Sequence, residues 1–172
     1  ASAGDVDGDG LSDIIIGASN DAGGYNAGAA YLFFGAGLSS AGALNLAEAD
    51  YKFMGENMDE WVGGAVSSAG DVDGDGFDDL LIGAHQMDLG GADAGGAYLV
   101  RAANLGQDEL FSVANADLVM VGEAPDDNTG IALSGAGDVD GDGLDDMFIG
   151  SSWNDSGGEN SGASYLVLAD ST

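Results

Sequence analysis

Cysteine is absent from these 172 residues, so no disulfide braces the fold and no thiolate is on offer to a soft metal. Basic residues are nearly absent as well. Lys52 and Arg101 stand against 31 acidic residues, for a formal charge of −29 at pH 7. Neutralising phosphates takes the Lys and Arg that are missing, which excludes nucleic acid and anionic membranes as partners. Histidine occurs once, as His85, and leaves a nucleophile triad without a credible base. No Gly-x-Ser-x-Gly elbow and no phosphate-cradling loop with its lysine occurs. The chain therefore reads as a non-enzyme. No apolar stretch approaches 18 residues, so no helical membrane insertion is expected. A single proline and the lack of convincing helical patterns favour an all-β array.

What the chain has instead is one nine-residue stretch, three times over. The copies are Asp5–Asp13, Asp71–Asp79 and Asp138–Asp146, spaced 66 and 67 residues apart. Each places aspartate at positions 1, 3, 5 and 9: Asp5, Asp7, Asp9 and Asp13, then Asp71, Asp73, Asp75 and Asp79, then Asp138, Asp140, Asp142 and Asp146. Four carboxylates so close repel one another unless a cation sits between them. Oxygen donors at about 2.3–2.6 Å suit Ca2+, giving three expected sites. The glycine at position 6 permits the positive φ that folds the chain back around an ion. Position 7 (Leu11, Phe77, Leu144) is expected to add its backbone carbonyl and to pack its side chain inward. An EF-hand is excluded, because position 12 is Ile16, Ile82 or Ile149 where a carboxylate is required. In the acid pairs Asp78/Asp79 and Asp145/Asp146, the second member completes the loop and the first is expected to face solvent.

Three Ca2+ ions would still leave a charge of −23, so calcium accounts for only part of the acidity. Leu, Ile, Val and Phe total 38 of 172 residues, close to the range where high charge predicts disorder. Cation binding is thus an expected condition of folding. A cysteine-free chain with such loops reads as extracellular, secreted or at a cell surface.

After each loop runs an apolar strand: Ile14–Ala18, Leu80–Ala84 and Met147–Ser151. Uninterrupted apolar runs of this length read as strands covered on both faces. A Gly/Asn/Asp-rich turn follows, then a strand with a recurring tyrosine: Gly28–Phe33, Gly96–Val100 and Gly162–Val167. Connections over 35–48 and 102–115 carry a weak signal for a helical turn. Further strands are expected at Tyr51–Glu56 and Leu118–Glu123, and at Val62–Gly70 and Gly130–Gly137 before the next loop. Four short antiparallel strands per repeat is the pattern of a β-propeller blade. The chain is read as one array, with repeats over 1–60, 61–127 and an incomplete 128–172.

The succession Gly-x-Ala/Ile-x-Ser-x-Ala-Gly-Asp-Val-Asp-Gly-Asp-Gly, then Ile-Gly-Ala, then Gly-Ala-x-Tyr-Leu resembles the FG-GAP repeat. Such repeats form the blades of the integrin alpha-subunit propeller and of many bacterial secreted proteins. The resemblance covers essentially the whole chain and implies that the loop carboxylates are calcium ligands. Two elements depart from the pattern. Phe-Gly appears as Trp61-Val62-Gly63 and Asn128-Thr129-Gly130, and Gly-Ala-Pro lacks its proline. Family propellers have seven blades and this chain offers three. It is therefore expected to be an incomplete propeller, cut from a longer one or completed by other copies of itself. Integrin-type ligand recognition does not transfer.

Two function classes follow. One is a calcium-stabilised extracellular structural or adhesion module that binds a protein ligand or further blades. The other is a carbohydrate-binding or ancillary domain of a secreted enzyme, with Trp61, Trp153, Tyr25 and Tyr51 as aromatic candidates for a glycan. Core or inter-blade packing is the expected role of those rings. Asn154-Asp155-Ser156 is a lone glycosylation sequon.

Overall fold

A computed structural model describes residues 1–20, 26–38 and 43–170. Three sheets follow one another along the chain, antiparallel except for one parallel pairing at the far edge of the first, each running from its loop-bearing strand outward. The first contains β1 (Ser2–Gly4), β2 (Asp13–Ala18), β3 (Ala29–Phe33) and β4 (Tyr51–Met54). The second contains β5 (Val62–Gly70), β6 (Asp79–Ala84), β7 (Gly96–Val100) and, after the excursion of β8 (Leu110–Ser112), β9 (Leu118–Val121). The third has β10 (Thr129–Gly137), β11 (Asp146–Ser151) and β12 (Ala163–Val167). These are the blades of an unclosed propeller.

The cores lie between sheets. Successive strand residues point to opposite faces, so β6 serves both neighbours. Leu80 and Ile82 pack with Ile15, Leu32 and Phe53 of the first sheet, while Leu81 joins Leu99 and Met147 towards the third. All six residues of β6 are buried, as an apolar run sandwiched on both faces requires. In β11 the same alternation buries Met147 and Ile149 and leaves Phe148, which corresponds to Leu81, 44% exposed.

Glycine lets the sheets approach this closely. A methyl group built on Gly17 would land on the carbonyl oxygen of Gly63, and one on Gly83 would land on that of Gly130. The two pairs hold the same positions in successive repeats.

The helical turns of the connections are short 3-10 segments, Gly35–Leu38 and Leu46–Glu48, then Ala102–Asn104 and Val113–Asn115. Within the second connection β8 pairs in parallel with β4 of the first sheet, Phe53 opposite Phe111. Local pattern did not disclose that strand, because its hydrogen bonds go to a segment some 58 residues earlier. The outer face of the first sheet is covered by its own connection, Leu38 and Leu46 lying over Tyr31 and Phe33.

Candidate metal centres

Each loop is held by its own carboxylates before any ion is considered. The Gly10, Gly76 and Gly143 amides at position 6 donate to the position 1 carboxylates of Asp5, Asp71 and Asp138 at 2.9, 3.0 and 3.0 Å. Those glycines have φ of 87°, 93° and 95°, the left-handed region where a side chain would be strained. At position 5, Asp9, Asp75 and Asp142 accept the amides of Leu11, Phe77 and Leu144 at 2.8–2.9 Å.

Position 9 ties the loop to the sheet. Asp13 accepts from Val6 at 2.8 Å and from Gly35 at 2.7 Å. Asp79 does the same with Val72 (3.1 Å) and Ala102 (2.9 Å), and Asp146 with Val139 (2.8 Å) and Ala169 (2.9 Å). All three are buried.

Carboxylate oxygens of positions 1, 3 and 9 converge in all three loops: Asp5, Asp7 and Asp13; Asp71, Asp73 and Asp79; Asp138, Asp140 and Asp146. Within each triad they lie no more than 4.8 Å apart. Position 5 stands outside these triads. Burial pushes the Asp79 pKa up to about 6, with Asp73 and Asp75 adding repulsion against the two amide donors. Asp13 is raised for the same first cause. Asp5 keeps one carboxylate oxygen, Oδ1, buried without a hydrogen-bond partner. An all-oxygen donor set with a desolvated carboxylate and an unspent oxygen fits a hard divalent cation. In the second loop Arg101 Nε comes within 3.5 Å of Asp73. The corresponding residues, Phe34 and Leu168, are uncharged.

Two expectations about the loops are corrected. The position 7 side chains do not all pack inward: Leu11 is 51% exposed and Phe77 36%, and only Leu144 is buried. The reason is that position 7 lies over the loop of the preceding repeat, Phe77 against Gly8 and Leu144 against Gly74. Leu11, in the first repeat, has no such loop in this chain to cover. Nor do Asp78 and Asp145 face solvent. Asp78 accepts the Asp5 amide at 2.7 Å and Asp145 the Asp71 amide at 3.1 Å, each reaching into the loop before its own. The legible signal for this was the glycine just before position 1, Gly4 and Gly70, which leaves room for the incoming carboxylate.

The remaining candidates resolve differently. Asn154 is 2% exposed, and its amide donates to Asp127 (2.8 Å) and Tyr165 (3.2 Å), so its side chain is spent internally and is out of reach of glycosylation. Trp153 is not in a core but 58% exposed. Trp61 packs edge-on to His85 at 5.9 Å between ring centroids, and desolvation lowers the pKa of that histidine. Tyr51 stacks with Phe53, and its hydroxyl donates to the Gly106 carbonyl at 2.6 Å. Tyr25 lies outside the described residues.

Comparison with known proteins matches residues 1–33, 62–100 and 129–167 to the FG-GAP repeat. The chain is 31% identical to integrin alpha-PS2 of Drosophila melanogaster over 153 residues, 85% of this chain and 11% of that protein. It is 30% identical to integrin alpha-4 of Xenopus laevis over 162 residues, 90% of this chain and 14% of that protein. The chain thus spans only a small fraction of the length of the curated relatives it matches.

Proposed function

The chain belongs to the FG-GAP repeat family, and from that premise we propose that it is a calcium-stabilised extracellular adhesion module that works without catalysis. The observation that carries this is the recurrence of one acidic triad, on positions 1, 3 and 9, in three successive repeats. Positions 1, 3 and 9 would hold the ion in each loop, with position 5 and the position 7 carbonyl completing the shell as it closes. Calcium supplies the positive charge that lets the carboxylates share one site. The loops themselves orient the donors and keep position 9 away from water.

The module continues into further blades, provided by other copies of itself or by a longer chain, and its adhesive partner is a protein ligand. The carbohydrate alternative rests on the exposure of Trp153 alone and is the second reading.

Thermal unfolding in calcium and in chelator tests the proposal. Binding to the folded state adds RT ln(1 + [L]/Kd) per site, about 2.7 kcal/mol at a 100-fold excess. Three sites therefore add an amount comparable to the whole stability of an ordinary domain. Chelation is expected to lower Tm severely or to unfold the chain. Superimposable melting curves in the two buffers would contradict calcium as the stabilising ligand.

A further inference from the structure

We propose that Asp78 and Asp145 are positioning residues for the metal centre of the repeat before their own, so that the first two centres are completed across a blade boundary. This rests on the calcium reading above and adds a regulation to it: binding at one loop depends on the seating of the next blade.

The geometry is a closed pair of hydrogen bonds. The Asp5 amide donates to Asp78 Oδ2 at 2.7 Å, and the Asp78 amide donates back to the Asp5 carbonyl at 3.1 Å. Asp71 and Asp145 repeat the pair at 3.1 and 3.0 Å. Asp5 and Asp71 are the position 1 residues, so the bonds clamp the main chain from which a triad carboxylate projects. Gly4 and Gly70 have φ of 79° and 81°, and a methyl on either would overlap the incoming aspartate. The neighbouring contact reinforces the pair, Phe77 lying over Gly8 and Leu144 over Gly74. At the third loop Gly137 and Gly141 have open space around them. The first repeat carries Ser12 where the others carry Asp78 and Asp145.

Without the acceptor, the Asp5 amide is left unpaired at a part-buried place, and the position 1 carboxylate must be ordered by the ion itself. That ordering is charged against binding. The effect appears in the loop before the altered residue.

The experiment is a Ca2+ titration of the whole chain followed by NMR at the Gly10, Gly76 and Gly143 amides. Each donates to the position 1 carboxylate of its own loop and so reports one centre. Asp78→Ala is expected to raise the Gly10 midpoint about tenfold and to leave Gly76 and Gly143 within twofold. Asp78→Asn, equally neutral but still an acceptor, is expected to keep Gly10 near the wild-type midpoint. An unchanged Gly10 in Asp78→Ala, equal shifts in the Ala and Asn variants, or a shift confined to Gly76 overturns the proposal. If Asp78→Ala does not fold, Asp145→Ala is read at Gly76 with the same expectations. Loss of folding in both Ala variants, with both Asn variants folded, makes the contact a brace of the fold and also overturns it. Silence of all three glycines in the wild-type titration defeats the calcium reading instead.

Discussion

At the scale of single residues, the buried carboxylate of Asp79 gives the metal-free protein a pH response of its own. Asp79 has its pKa raised from 3.8 to about 6, burial being the main cause. A carboxyl that holds its proton more tightly when folded favours the folded state at low pH. Between about pH 4 and pH 6 the native chain binds more protons than the unfolded one, so this contribution falls as pH rises. A rise from 3.8 to about 6 corresponds to about 3 kcal/mol. In chelator, stability is therefore expected to drop from pH 4 to pH 6 in urea melts, and Asp79→Asn is expected to flatten that slope. In saturating calcium the trend reverses, because protons compete with the ion for the same oxygen. A metal-free stability that rises with pH across this window would contradict the assignment. The four aspartate positions of each loop were legible in the sequence, because their spacing is local. The separate status of position 5 was not. Whether its oxygen is spent on the position 7 amide or turned into the triad depends on the turn that the whole loop adopts.

At the scale of elements, the distance between sheets is set where glycine faces glycine. Gly83 lies in β6 against the Gly130 carbonyl of β10, with no space for a methyl group. Gly83→Ala must push the second and third sheets apart, loosening Leu81 and Leu99 from Met147. The expected loss is about 2–3 kcal/mol, the upper part of the usual range of about 1–3 kcal/mol for overpacking. Gly150→Ala, the equivalent change in the third sheet, meets Ala132 alone, with no atom nearer than its methyl at 3.2 Å, and is expected to cost about 1 kcal/mol or less. Equal losses in chemical denaturation would show that close approach of the sheets is not what the glycine provides. These strands were readable, since continuous apolar runs bounded by Gly and Asp mark strands, but the expected cover on both faces fails for β11, whose Phe148 is exposed. The parallel pairing of β8 with β4 was not, because neither partner encodes the other in its local pattern.

At the scale of the molecule, the outer face of the third sheet is the unbalanced surface. Phe148, Leu166 and Leu168 are 41–47% exposed. Phe148 and Leu166 correspond to Leu81 and Leu99 of the second sheet, which the third sheet buries. A face built to the same pattern as a buried one invites another blade. The proposed self-association is therefore expected to appear as a species larger than one chain in light scattering at micromolar concentration in calcium. Two copies make six blades if the contact closes, and a filament if it does not. Leu166→Glu is expected to return the chain to a monomer with its calcium sites intact. A well-folded wild-type monomer under these conditions ends the self-association proposal.

By itself the amino-acid sequence determined the repeat length, the all-β class, every strand but β8 and the acidic loops, because each is written in spacings of a few residues. Its scarcity of positive charge also argues against nucleic acid as a partner. Only the tertiary structure decided which residues act between repeats. Asp78 and Asp145 look like spare carboxylates along the chain, and Phe77 like a core residue. In the fold all belong to the junction with the preceding loop. Trp153 and Asn154 are neighbours in sequence, yet one is exposed and the other buried against Asp127. Such outcomes depend on contacts between segments tens of residues apart, where local pattern carries no information and the stacking of one sheet on the next sets the geometry.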